Sequence, residues 1–253
     1  MALGAWPDMT ETASSPDNRN LSERSYDLLR RDILHGKLFP GEKLHIDNLS
    51  ERYGIGKVPL REALNRLSSE GLAERKSHRG FFVAPISMSE LDDLVKTRIW
   101  LETLALREAI SNGDDAWEDA LVVACHRLNR TQRLLPPDSG SEISDSWEMR
   151  HKEFHLLLLE PCGSSWLLEF CSSLMDRAVR YRNLSMNSNP SQLRREGAVA
   201  EHQEILDAVL ERDTDKASAL LTDHYQTTLS GLRHAIKDDV PESEVFPARA
   251  ASR

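Results

Sequence analysis

From Ser87 to about residue 237 the apolar residues recur at helical spacing and nowhere alternate as a strand would. That regularity confines more than half of the chain to packed helices, because a half-buried sheet needs side chains alternating between two faces. The spacing predicts helices near 87–112, 116–135, 142–161, 164–188, 191–211 and 214–237. The breaks carry Gly113-Asp114, Pro136-Pro137, Pro161-Cys162-Gly163, Asn189-Pro190 and Asp213, all turn formers. Ser87 with Glu90 three residues later reads as a capping box that opens the first of these helices.

The first 85 residues follow a different plan. Leu28, Leu29, Ile33 and Leu34 share a helical face, and Gly36 stands where that helix should stop. Pro40 to Lys43, PGEK, is turn chemistry. A short helix around Asp47 to Tyr53 is anchored by Leu49 and broken by Gly54-Ile55-Gly56. A second helix starts near Val58-Pro59, where proline's missing N–H costs nothing. It carries Leu60, Ala63, Leu64 and Leu67 on one face and ends at Gly71. LAERKSHRGFFVAPI has apolar flanks around the polar tip KSHRG and predicts a two-stranded hairpin. Helix, short helix, tight turn, helix, hairpin is a winged helix-turn-helix.

The expected fold is therefore mainly α. An N-terminal winged helix-turn-helix precedes an all-helical antiparallel bundle of six to seven helices. The expected organisation is a disordered lead at 1–20, a DNA-binding domain at 21–85, a helical domain at 86–238 for effector, metal and dimerisation, and a flexible tail at 239–253.

Charge supports two modules with different partners. The chain carries a net −9, yet from Arg19 to Arg79 it holds 13 Lys+Arg against 9 Asp+Glu, a net of +4. The remainder is −13. A basic module joined to an acidic one fits a nucleic-acid binder with a separate regulatory part. No apolar run approaches the ~18 residues of a membrane span. The N-terminus lacks the layout of a secretory signal. Three cysteines without a CxxC pair favour a reducing compartment. A cytoplasmic protein without a membrane partner is expected.

Gly54-Ile55-Gly56-Lys57-Val58-Pro59-Leu60-Arg61-Glu62-Ala63-Leu64, then Leu67, Gly71-Leu72 and Arg79-Gly80-Phe81-Phe82-Val83, resembles the DNA module of the GntR family of bacterial transcription regulators. The preceding ILHGKLFPGEKL matches the same family pattern. The resemblance implies that Lys57, Val58, Pro59 and Arg61 on the recognition helix, and His78, Arg79 and Gly80 on the wing, meet a double-stranded DNA operator. The chemistry agrees. Lys57 and Arg61, four apart, share the start of the second helix and can meet phosphates and guanine O6/N7. Gly80 permits close backbone approach at a wing tip. In two places the chain departs from the family pattern: Lys57 stands where Arg is common, and Asp47 stands where some relatives carry a DNA-contacting Arg.

In HKEFHLLLL, His151 and His155 lie one turn apart on one helical face. His202 in EHQEIL and His224 in DHYQTTL sit in similar helical settings. This half resembles the FCD ligand-binding domain of the FadR subfamily. The resemblance implies a divalent metal held by His155, His202 and His224, with His151 at a fourth position usually taken by Asp. Neutral imidazoles suit a transition metal, with Zn or Ni expected ahead of Mn or Mg. His126 and His234 read as ordinary helix residues.

A sensor also needs a grip on its ligand. Arg98 interrupts the stripe Leu91, Leu94, Leu101, Ala105, and Arg177 shares a face with Leu167, Phe170, Leu174, Tyr181 and Leu184. Buried guanidinium groups want anions. Both are expected effector-binding residues, with Arg180 as a neighbour of interest. The order H-K-E-F-H puts Glu153 off the metal face, and no G-x-S-x-G or P-loop occurs, so no enzyme is expected. The expected function is a homodimeric regulator, a repressor, responding to a small carboxylate bound near the metal. The alternative is a regulator for which the metal itself is the signal, with a metal-dependent hydrolase as a remote third.

Overall fold

The computed structural model describes residues 16–133, 144–188 and 192–239. The predicted breaks at Pro136-Pro137 and Asn189-Pro190, residues 1–15 of the expected lead and 240–253 of the expected tail lie outside the described residues. The chain divides into two compact units, Met1–Ile33 with Gly41–Ala84, and Leu34–Pro40 with Pro85–Arg253.

In the first unit, α1 (Pro16–Leu34), α2 (Ile46–Tyr53) and α3 (Lys57–Ser69) combine with strands β1 (Lys43–Leu44), β2 (Ala73–Lys76) and β3 (Gly80–Val83). α1 takes in residues 16–20, which had been expected to be disordered. Its first turns are polar and carry no apolar period to read, while Pro16 suits a first helical position. Leu60, Ala63, Leu64 and Leu67 of α3 are buried, as are Leu29 and Ile33 of α1 and Leu49 of α2. Each such leucine contributes roughly 1.5–3 kcal/mol by leaving water. Gly54 ends α2 at φ 64°, its N–H bonded to the Ser50 carbonyl at 3.0 Å, a left-handed cap that glycine takes at little cost. Buried Asp32 accepts from the Tyr53 hydroxyl at 2.7 Å and from Arg52 at 3.0 Å, tying α1 to α2.

The sheet has three strands rather than the expected two, in the order β1-β3-β2. β1 pairs antiparallel with β3, Lys43 opposite Phe82, and β2 pairs with β3 so that Lys76 faces Gly80. Two residues are too short to show alternation, which is why β1 has no sequence signature.

The second unit is helical among its described residues: α4 (Met88–Asn112), α5 (Asp115–Arg130), α6 (Asp145–Leu159) with a 3-10 turn over Glu160–Cys162, α7 (Ser165–Ser188), α8 (Gln192–Leu210) and α9 (Thr214–Asp239). Side chains of Ser87, Asp114 and Ser144 cap the first turns of α4, α5 and α6. Leu91, Leu106, Leu121, Phe154, Leu158, Ile205 and Leu221 lie in one core. Gly113 is required at the α4–α5 turn, because a Cβ there would sit 2.1 Å from the Trp117 ring. Leu34–Pro40 belongs to this unit, where His35 Nε2 meets Asp145 at 2.8 Å.

Candidate metal centre and nucleic-acid face

In the first unit, α3 presents Lys57, Val58 and Arg61 to solvent, Val58 at 60 % exposure. Pro59 is buried, which corrects its place among the DNA-contacting residues. Proline in the first helical turn packs its ring inward while setting φ for the helix. The wing tip exposes His78, Arg79 and Gly80. His78 takes φ 57° and Gly80 φ 92°, and the Arg79 N–H bonds to the Lys76 carbonyl at 3.0 Å, closing a tight turn. Lys76 and Arg79 lie 4.6 and 5.9 Å from the Phe82 ring, which fixes two cations beside the wing. Lys57 Nζ lies 2.5 Å from Asp47 Oδ1 at the start of α2.

In the second unit, α6, α8 and α9 bring His151, His155, His202 and His224 together, all buried. One ligating nitrogen from each lies within 4.8 Å of the others. His155 Nε2 and His202 Nε2 are 3.3 Å apart, close to the ~3.3 Å edge of a tetrahedron with Zn–N bonds near 2.0–2.1 Å. Burial first, then the neighbouring imidazoles and Arg182, holds His151 and His155 well below the ordinary histidine pKa. Four neutral imidazoles can hold a metal ion.

The surroundings orient these rings. Glu201 Oε2 meets His224 Nδ1 at 2.6 Å, leaving Nε2 toward the cluster. Tyr225 bonds to Glu102, whose other partner is Arg98 at 2.6 and 3.3 Å. A charged carboxylate only accepts, so the Tyr225 hydroxyl donates to it. The Tyr225 oxygen then accepts from His155 Nδ1 at 3.2 Å, and the lone pair of His155 stays on Nε2. Trp147 stacks on His151 at 4.7 Å, and Glu153 bonds to Arg150, off the cluster.

Of the expected effector arginines, Arg98 is buried but already engaged by Glu102, and the guanidinium lies 4.2 Å from the Tyr225 ring. Arg177 is exposed, which corrects its assignment. The buried stripe of α7 runs through Cys171, Met175, Ala178 and Arg182, one residue out of phase with the predicted one. Arg182, not singled out from sequence, is 7 % exposed and pairs with Glu148 at 2.6 Å. Asn183 beside it is 1 % exposed, with neither amide atom hydrogen-bonded among the described residues. A groove of about 840 Å³ between α5, α6 and α7, floored by Val123, Leu156 and Leu168, holds none of the four histidines.

Residues 21–83 match the model of bacterial regulatory proteins of the gntR family, and residues 93–227 match the FCD domain. The chain belongs to the GntR family. This GntR regulator is 35 % identical to the uncharacterized HTH-type transcriptional regulator BphR of Paraburkholderia xenovorans, over 85 % of this chain and 86 % of that one. It is 34 % identical to the HTH-type transcriptional repressor GlaR of Escherichia coli, over 83 % and 95 %. In fold it is similar to E. coli McbR/YncC, with a TM-score of 0.66 and 23 % identity over 85 % of this chain and 97 % of that structure. It is thus a DNA-binding transcriptional regulator with an FCD domain, and neither the family nor the named relatives are enzymes. Among the described residues no helix is long and apolar enough to cross a membrane.

Proposed function

We propose that this regulator is a cytoplasmic, homodimeric repressor whose FCD domain holds a divalent transition metal, Zn or Ni, and binds a small carboxylate beside it. The observation that carries this reading is the convergence of four buried histidines from three helices. Charge supports an anionic effector. Arg98 balances Glu102 and Arg182 balances Glu148, so these two carboxylates do not offset the charge of a bound dication. The surplus positive charge favours an anion at an open coordination position. Asn183, whose amide atoms have no hydrogen-bond partner among the described residues, replaces Arg177 as the candidate polar group for the rest of the effector, while Arg98 and Arg182 hold Glu102 and Glu148 in place. Lys57, Val58 and Arg61 meet the operator major groove, and His78, Arg79 and Gly80 meet the adjacent minor groove.

A second reading, in which the metal is itself the signal, draws support from His151. If all four imidazoles bind Zn, the tetrahedral shell is closed and no position remains for an effector. With a six-coordinate metal, or with His151 standing off, positions stay open.

The dimer finds support on α4 and α7. Trp100 and Leu104 of α4 are 60 % and 52 % exposed, and Trp166 and Phe170 of α7 are 72 % and 58 % exposed. α4 and α7 pack on each other, and both leave large apolar side chains in water. Exposed side chains of this kind suit a two-fold interface, and two-fold proteins read palindromic operators.

The test is operator binding by the untagged protein, metal-free, metal-loaded, and metal-loaded with a panel of small carboxylates. The effector reading predicts that one carboxylate weakens binding only when metal is present. Release or capture of DNA by metal alone, with no carboxylate effect, supports the second reading. DNA binding indifferent to metal and ligand contradicts both.

A further inference from the structure

The DNA-reading face carries a negative charge at its leading edge. Asp47 lies in the first turn of α2 and Lys57 is the first residue of α3, so the loop Gly54-Ile55-Gly56 brings together two side chains ten positions apart. Their charged atoms are 2.5 Å apart, and both side chains are largely exposed, Asp47 at 75 % and Lys57 at 65 %. The hydrogen bond from Lys57, more than any other cause, holds the Asp47 carboxyl below its ordinary pKa. Arg61, one turn along α3, is exposed.

An exposed ion pair of this kind adds little to stability. Its effect on DNA is another matter. A backbone phosphate approaching Lys57 must bring its negative charge beside that of Asp47. The guanine edge presents O6 and N7, neutral acceptors, which can share the three ammonium hydrogens with Asp47 in place. The cytosine of the same pair presents an N4 amino group, a donor that a carboxylate accepts.

On the reading that this face binds DNA, we propose that Asp47 and Lys57 act as one specificity unit: Asp47 denies Lys57 to phosphates and confines it to the guanine of a G·C pair. Discrimination then comes from a repulsive element beside an attractive one. Arg61 remains the cation of this helix available to the backbone.

The experiment uses the full chain and duplexes selected by it from a random pool, with unrelated duplex as the non-specific competitor. Affinities for both are measured across a salt series for wild type, Asp47→Asn, Lys57→Gln and the double variant. Asp93→Asn, which removes the same charge from α4, controls for net charge, and thermal melts confirm folding. Asp47→Asn should raise non-specific affinity about three- to tenfold and steepen its salt slope by about 0.9, one added phosphate contact. Affinity for the selected duplex should change less, and reselection should lose a G·C preference at one position in each half-site. In the Lys57→Gln background Asp47→Asn should have little effect. An unchanged ratio of specific to non-specific affinity, or an equal change from Asp93→Asn, overturns the proposal. Failure of the wild type to bind any duplex would instead remove the DNA-binding reading beneath it.

Discussion

Tyr225 bonds through one hydroxyl to Glu102 and to His155, and because Glu102 can only accept, the tyrosine must accept from the histidine. A buried arginine is thereby linked to the tautomer of a candidate metal ligand three hydrogen bonds away, through Glu102 and Tyr225. Tyr225→Phe removes both bonds while keeping the ring. It should lower Zn affinity about 10–100-fold, the usual effect of losing a partner that orients a ligand. Competition against a fluorescent chelator measures this, and unchanged affinity would show that His155 needs no such support.

Arg98 belongs to the same chain of bonds, and its pairing with Glu102 is buried on both sides. Arg98→Met leaves a carboxylate without its cation and should cost about 3–5 kcal/mol of unfolding free energy. Adding Glu102→Gln should recover part of that loss. Denaturant melts of the metal-free chain decide it. A near-neutral Arg98→Met with lost effector response would return Arg98 to the ligand-binding role expected from sequence.

Recognition-helix variants should separate by exposure. Arg61→Ala should weaken binding to operator and to unrelated duplex about equally and reduce the salt slope by about 1. Pro59→Ala, at a buried position, should alter thermal stability while leaving the preferred operator sequence unchanged. Gel-shift titration and melting curves on the two variants check this. A change in the preferred operator in Pro59→Ala would put the residue back at the DNA.

Cys171 offers a chemical probe of the core. Burial, then the Glu102 carboxylate, raises its pKa to about 12, so at pH 8 it remains a thiol, the unreactive form. Reaction with a thiol reagent should be slow in the native chain and fast in denaturant. Raising the pH from 7 to 9 should leave the native rate governed by opening of the fold. A prompt native reaction at Cys171 would mean that the helices around Arg98 open readily.

Much of this was legible in the residues. The period of Leu60, Ala63, Leu64 and Leu67 marked α3 because one face of that helix is apolar and the other is not. Helical spacing by itself paired only His151 with His155, and it was the resemblance to the FCD domain that joined His202 and His224 to them. What escaped had physical causes. Glu102 lies one turn from Arg98, so that pairing is local, but nothing local says that both are buried or that Tyr225 will meet them in the core. The polar face of α7 could be phased through Arg177 or through Arg182, and packing against α4, α6 and α9, which sequence periodicity does not contain, decides for Arg182. The pairing of Asp47 with Lys57 depends on how the Gly54–Gly56 turn folds, not on either residue's neighbours.

The central claim is that the four histidines form a metal site, and the metal content of untagged protein tests it most directly. Elemental analysis of wild type and His202→Ala, each after incubation with Zn or Ni and removal of excess, gives the answer. The account predicts one ion per chain in the wild type, lost in His202→Ala, with the variant still folded by circular dichroism. A folded wild type that takes up no metal would contradict it and leave the cluster as a hydrogen-bonded core beneath a DNA-binding module.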